Sequence, residues 1–448
     1  SSGSIEQSRQ PGNPLVGPGF STTAETTRPR CDKSAITPYH VSVTPEFLLL
    51  SLVVVTALAF DFTNGFHDTA NAMATSIATK ALSPKAAVTL SAILNLVGAF
   101  LSVEVAITVT NSVIKIQDSS GAITPSLTAD GGHSLLVILM SALAGAIIWN
   151  ILTWLWGLPS SSSHALFGGL VGATVASLGW GGVKWFGSNG HLDGVIGKVV
   201  LPALISPAVA IVVALVGTRL VFAITRGVLQ RYQEAGFRWG QIGTASLLSL
   251  SHGTNDAQKT MGVITLALIA ANPTMPTDEI PLWVKFACAM AIATGTYVGG
   301  WRIIRTMGKG LVEVLSPQGM AAESASAAVI LTSSQMGFPL STTHVCTGSI
   351  IGSGLGRTGA SVRWGVAARM MGAWMITLPS AAVVSAGLWW IGHLIGGTPG
   401  DLAIFGAMVA AALFMWWRSR RDPINPDNVN DDWHSDTPTQ PEPMREAV

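Results

Sequence analysis

Apolar residues come in ten long runs along the chain, at 46–83, 86–114, 133–157, 158–180, 194–226, 241–271, 282–300, 321–356, 363–397 and 402–417. An α-helix needs about 20 apolar residues to cross a hydrocarbon core of about 30 Å. The runs therefore predict an all-α polytopic membrane protein with about 10–12 transmembrane segments. Three runs depart from plain spans. Run 46–83 is long enough for about 57 Å of helix at about 1.5 Å per residue, and the polar stretch Asp61–Asp68 interrupts it. Run 158–180 opens on Pro159 and four serines, and run 321–356 carries Thr332–Gln335 followed by Pro339. These three predict broken or re-entrant helices, which membranes accept only where the irregular backbone lines a cavity or is buried in protein.

Charge sharpens the picture. Charged residues make up 11% of the chain, against about 25% in a soluble domain. Of the 25 basic and 24 acidic residues, only 31 fall between positions 46 and 417. That excludes an ordinary soluble enzyme and a disordered chain, and the net charge of +1 gives no footing for nucleic acid. Cys31, Cys288 and Cys346 are too few and too scattered for a disulfide framework or a zinc site, so no metal centre is expected. Trp154, Trp156, Trp180, Trp283, Trp301, Trp416 and Trp417 stand where apolar runs end, the place of interfacial rings. Residues 1–44 and 418–448 read as disordered tails, the first without the apolar core of a signal peptide. The segment 227–240 belongs to a loop with Arg219, Arg226, Arg231 and Arg238 against Glu234, and reads as a basic cytoplasmic linker between two membrane halves, 45–226 and 241–417.

The two halves repeat each other. GFHDTANAMAT (65–75) aligns with GTNDAQKTMGV (253–263), so that Gly65 meets Gly253, Asp68 meets Asp256 and Asn71 meets Lys259. PSSSSHALFGGLVG (159–172) aligns with PLSTTHVCTGSIIG (339–352) in the same order. Five runs in the first half make an odd number of crossings. That inverts the second half, as in many secondary transporters with a site near the midplane.

Polar residues inside these runs are the candidate chemistry. Asp61, Asn64, Asp68, Asn71 and Thr75 are spaced three and four apart, and share one helix face. His252, Asp256 and Lys259 do the same in the second half, with Asn255 and Gln258 alongside. A charge at the bilayer centre costs about 2.5–3.5 kcal/mol on insertion scales, which suits an ion and substrate pathway; the plainer alternative is a buried Asp68–Lys259 bridge. Ser161, Ser162 and Ser163, with Ser341, Thr342 and Thr343, offer hydroxyls and free N–H groups at helix starts, a ready oxyanion site, unless they merely cap. His164 and His344 follow them. Glu104 is a weaker proton-relay candidate; His67 and Arg369 are ambiguous.

FDFTNGFHDTANAMATSIAT (60–79) and SLSHGTNDAQKTMGVI (249–264) resemble the paired signatures of the inorganic phosphate transporter (PiT) family. The Asn-Asp-Ala-Gln-Lys form of the second is similar to the bacterial low-affinity Pit branch, and PSSSSH and PLSTTH stand where that family has its second motif. The resemblance implies an inverted-repeat helical fold, usually a homodimer, in a bacterial plasma membrane, importing phosphate by symport with a cation. It also implies that Asp68, Asn71, Asp256 and the Ser/Thr clusters bind substrate or cation. Sodium-coupled members tend to have Asn at the position of Lys259. The expectation is that Asp68 and Asp256, with Asn64, Asn255 and Gln258, hold the coupling cation or proton. Asn71, Lys259 and the six Ser/Thr residues hold phosphate. The expected co-substrate is a proton, with sodium the alternative and a neutral metal-phosphate complex a possible cargo; no enzyme cofactor is expected. Sulfate or another tetrahedral oxyanion, and an anion channel, are the competing readings.

Overall fold

The computed structural model describes residues 44–115, 127, 130–187, 194–226, 230–276 and 279–431. The helices are α1 (Pro45–Ala78), α2 (Pro84–Gly98), α3 (Glu104–Ser112), α4 (His133–Leu155), α5 (Ser162–Leu178), α6 (Ile196–Ile224), α7 (Gln230–Ala271), α8 (Leu282–Val298), α9 (Trp301–Gly310), α10 (Ser316–Gln335), α11 (Thr342–Gly356), α12 (Trp364–Ile395) and α13 (Gly397–Ser419). Among the described residues the only β pairing is two isolated bridges, Ile114–Val183 and Val312–Val362.

Three expectations need correction. The run 46–83 is not broken: α1 is continuous over 34 residues, because its polar face is covered by other helices and its backbone has no reason to open. The segment 227–240 is not a loop throughout: from Gln230 it is the start of α7, a helix of 42 residues. Residues 227–229, 1–43 and 432–448 lie outside the described residues, whereas 418–431, predicted as disordered tail, finish α13 and continue as a turn-rich segment in which Val429 is buried.

The breaks at 158–180 and 321–356 are present, and their cause is local. Gly157 ends α4 and Gly337 ends α10 with φ of 64° and 69°, a left-handed conformation that only glycine adopts cheaply. Each closes the helix in the same way. Gly157 and Leu158 donate to the carbonyls of Trp154 and Thr153, and Gly337 and Phe338 donate to those of Ser334 and Ser333. This is a Schellman closure. A proline follows, and then a serine caps the next helix: Ser161 accepts from the His164 N–H at 3.1 Å and Ser341 from the His344 N–H at 3.3 Å. The shorter helices α5 and α11 thus start inside the molecule.

The packing obeys the sequence repeat. α5 lies on α12 and α4, and α11 on α6 and α10; α1 packs on α8 and α7 on α2. Close glycine approaches recur in matched pairs. A methyl group on Gly65 would stand 2.2 Å from the Ile292 carbonyl oxygen, and one on Gly253 would stand 2.2 Å from that of Asn95. Gly168 and Gly348 likewise meet the carbonyls of Leu378 and Pro207. His164 and His344, partners in the repeat, touch with ring centroids 4.7 Å apart. The halves are interlocked, each first helix resting on the other half.

Burial is reversed from that of a soluble protein. Leu204, Ile205, Val212, Val216 and Leu220 of α6 and Met375 and Val383 of α12 are exposed, while the Asp, Asn, Lys and His residues of the repeat motifs are buried. Each large apolar side chain left in water forgoes about 1.5–3 kcal/mol, so these faces are built for lipid. Helices α1, α4, α6, α12 and α13 are each long and apolar enough to cross a membrane, and α8 with α9 makes a further candidate bent by 61°. Trp156, Trp180, Trp283, Trp416 and Trp417 are exposed. Trp154 instead packs on Phe66 at 4.8 Å between centroids and under the Arg302 guanidinium.

Gly253→Val should remove folded protein from the membrane, because backbone stands where its side chain must go. Gly372→Val on α12, where the space is open, should be neutral. Yield of monodisperse protein in detergent measures both.

Candidate functional site

α1 and α7 carry the two motif faces and pack together. The starts of α5 and α11 meet them there. Asp68 is buried on α1, where Ser162 Oγ donates to its Oδ1 at 3.2 Å and His67 Nδ1 lies 2.8 Å from the same oxygen. The other His67 nitrogen lies 3.2 Å from Thr153 Oγ1 and 3.4 Å from Ser160 Oγ. Asp256 is buried on α7, in contact with Lys259 Nζ and with His252 Nε2 at 2.9 Å. Lys259 Nζ also donates to Ser163 Oγ at 2.6 Å and to the Leu340 carbonyl at 2.9 Å. The Asp68–Lys259 bridge considered from sequence does not form; the lysine pairs with its own helix.

Thr342 joins the halves. Its hydroxyl lies 2.9 Å from Asp256 Oδ2 and 3.4 Å from Asp68 Oδ2. Asn71 donates to Thr342 at 3.3 Å and to Thr343 at 3.1 Å. Carboxylate oxygens of Asp68 and Asp256 and a ring nitrogen of His252 fall within 4.8 Å of one another, close enough to share a metal ion. The two aspartates of the repeat therefore meet in the interior, between two helix starts whose free N–H groups favour anions.

Other predicted residues have different places. Ser161 and Ser341 spend their hydroxyls as caps. Gln258 Oε1 accepts from the N–H groups of Val105 and Ala106, at 2.9 and 3.3 Å, so it pins the start of α3. Asn255 donates to the Leu340 carbonyl at 3.2 Å. Asn64 is buried on the α1 face, its amide oxygen without a hydrogen bond among the described residues. Glu104 and Arg369 are exposed and lie outside the cluster.

One buried acid escaped sequence reasoning. Glu323 on α10 is fully enclosed and accepts from Thr75 at 2.6 Å, Ser76 at 2.7 Å and Gln241 at 3.2 Å through one oxygen, and from Thr244 at 2.6 Å through the other. It ties the far end of α1 to the near end of α7. The signal was a lone acid in the small-residue helix AAESASAA. It has no partner in the repeat, since Leu143 stands at the related position, which is why a search for paired motifs passes over it.

The chain is similar to known proteins across this region. The model of the Phosphate transporter family matches residues 64–234 and 225–385. A probable low-affinity inorganic phosphate transporter of Mycobacterium bovis is 56% identical over 389 residues, 87% of this chain and 88% of its own length. One of Bacillus subtilis is 41% identical over 348 residues, covering 78% of this chain and 98% of its own. Among solved structures, the sodium-dependent phosphate transporter aligns with a TM-score of 0.65 over 78% of this chain and all of its own, at 21% identity. That last likeness is one of fold.

Glu323→Leu should strand buried donors at about 1–3 kcal/mol for each that finds no other acceptor. Glu323→Gln, which keeps an acceptor oxygen, should cost less. Thermal unfolding of the detergent-solubilised protein ranks the two.

Proposed function

We propose, for a chain that belongs to the Phosphate transporter family, that it imports phosphate by symport with protons, taking the phosphate free or as a neutral complex with a divalent metal. The observation that carries this reading is the place of Lys259. Its ammonium stands between Asp256 and Ser163, in contact with both, where a cation would otherwise have to neutralise the aspartates. A fixed positive charge there supports anion binding without sodium.

The electrical balance supports coupling. Taking His67 and His252 as neutral, Asp68, Asp256 and Lys259 sum to one negative charge, which repels an oxyanion. Carrying one negative charge inward against about 100 mV costs about 2.3 kcal/mol, and a dianion about 4.6 kcal/mol. Positive species must enter with phosphate both to fill the site and to cross the field. In this reading Ser162, Ser163, Thr342, Thr343, Asn71 and Lys259 hold phosphate, with the N–H groups that open α5 and α11. Asp68 and Asp256 carry the compensating charge.

The metal-phosphate form rests on the Asp68–His252–Asp256 group, whose ligand atoms lie within 4.8 Å. Two carboxylates and an imidazole suit a divalent ion brought in as cargo. The metal would offset the acids while phosphate faces the hydroxyls.

In proteoliposomes, labelled phosphate uptake should persist when choline replaces sodium and should rise with an inside-alkaline gradient; collapse in choline would sink the proton assignment. A chelator should lower uptake if the metal complex is carried. Asp68→Asn and Asp256→Asn should each abolish uptake in correctly inserted protein, and Lys259→Asn should abolish sodium-independent uptake.

A further inference from the structure

Asp61 lies outside this cluster, on α1 seven residues before Asp68, about 10 Å away along the helix axis. It is fully buried. Neither carboxyl oxygen makes a hydrogen bond of normal geometry among the described residues. Every other buried acid there has a donor close by: Ser162 for Asp68, Lys259 for Asp256, four groups for Glu323 and His133 for Asp401. Asn64 and Thr260 stand beside Asp61, and their Oδ1 and Oγ1 atoms are also buried without a hydrogen bond. The charged groups facing it are Asp256 and Lys259 of α7, and from α8 it faces the Cys288 thiol. Lys259 is already committed to Asp256, Ser163 and the Leu340 carbonyl.

An ionised carboxylate enclosed in an apolar interior with only the uncharged Asn64 and Thr260 side chains beside it, and no cation of its own, is poorly tolerated; the group takes up a proton. A hard cation in its place would find the Asn64 and Thr260 oxygens but would need about six or more oxygen ligands in all, and the α8 side presents a thiol. We infer that Asp61 is the residue that carries the transported proton. While it is enclosed as in this structure, its carboxyl is neutral. When the halves part toward the cytoplasm, the O–H bond breaks, the proton passes to entering water, and the carboxylate keeps the electron pair. A proton from the outer side reloads it before the next closure. This assignment rests on the proton-symport reading above.

The full-length chain and its Asp61→Asn variant, reconstituted in sodium-free proteoliposomes, give the test. Counterflow of labelled phosphate at equal pH needs no net proton movement, and Asp61→Asn should retain it. An inside-alkaline gradient of about one pH unit supports about tenfold accumulation per coupled proton. The wild-type chain should show that accumulation, with internal acidification reported by a trapped dye. In Asp61→Asn the accumulation ratio should fall to about one and the acidification should vanish. Asp61→Glu should restore both, with the pH profile of uptake displaced and that of counterflow not. Asp61→Asn that accumulates like the wild type overturns this inference alone. So does Asp61→Asn that loses counterflow together with accumulation. If the Asn variant does not fold, an undisplaced uptake profile in Asp61→Glu overturns it. A wild-type chain that accumulates phosphate on sodium but not on protons overturns the underlying symport reading as well.

Discussion

The structure depends on keeping charge inside a protein whose outside is oil. Asp68, Asp256 and Lys259 are buried where no bulk water reaches them. Removing one member of such a group leaves an uncompensated charge, typically at about 3–5 kcal/mol. The protein meets that cost with short-range partners: Ser162 and His67 for one aspartate, Lys259, His252 and Thr342 for the other. These partners come from both halves. The polar centre is therefore also what fixes the halves against each other.

Close packing holds the elements around that centre. Glycines let α1 and α7 rest on the backbone of α8 and α2, and let α5 and α11 rest on α12 and α6. Without lipid-excluding apolar contacts to drive association, membrane helices rely on such contact and on interhelical hydrogen bonds. Short helices that begin inside the molecule need their first N–H groups satisfied. Ser161 and Ser341 satisfy one each, which leaves neighbouring N–H groups and the hydroxyls of Ser162, Ser163, Thr342 and Thr343 turned to the site.

Much of this was legible in the sequence. The apolar runs, the paired motifs and the interruptions at Pro159 and Pro339 mark the helices, the repeat and the two breaks. The spacing of Asp68 and Asn71 on one helix and of Asp256 and Lys259 on the other identifies the faces that meet. The Asp61–Asp68 stretch misled, because polar residues in an apolar helix look like an interruption until the covering helices are known. Roles that depend on which side chain reaches which neighbour were not legible. Gln258 shares a face with the site, yet its carbonyl oxygen serves α3. Glu104 sits inside an apolar run but outside the packed interior. Glu323 is remote in sequence from all four of its donors, so only the fold reveals it.

The repeat is not kept everywhere. The four donors and the acid that clasp one end of the central helix pair have, at the related positions of the other end, Val263, Ile264, Val53, Thr56 and Leu143, of which all but Thr56 are apolar and buried in the main hydrophobic cluster. The two ends of the helix pair are thus held by unlike forces: directed bonds to a carboxylate at one, and contact between oily surfaces, whose cohesion weakens on cooling, at the other. The balance of strength between the ends therefore shifts with temperature.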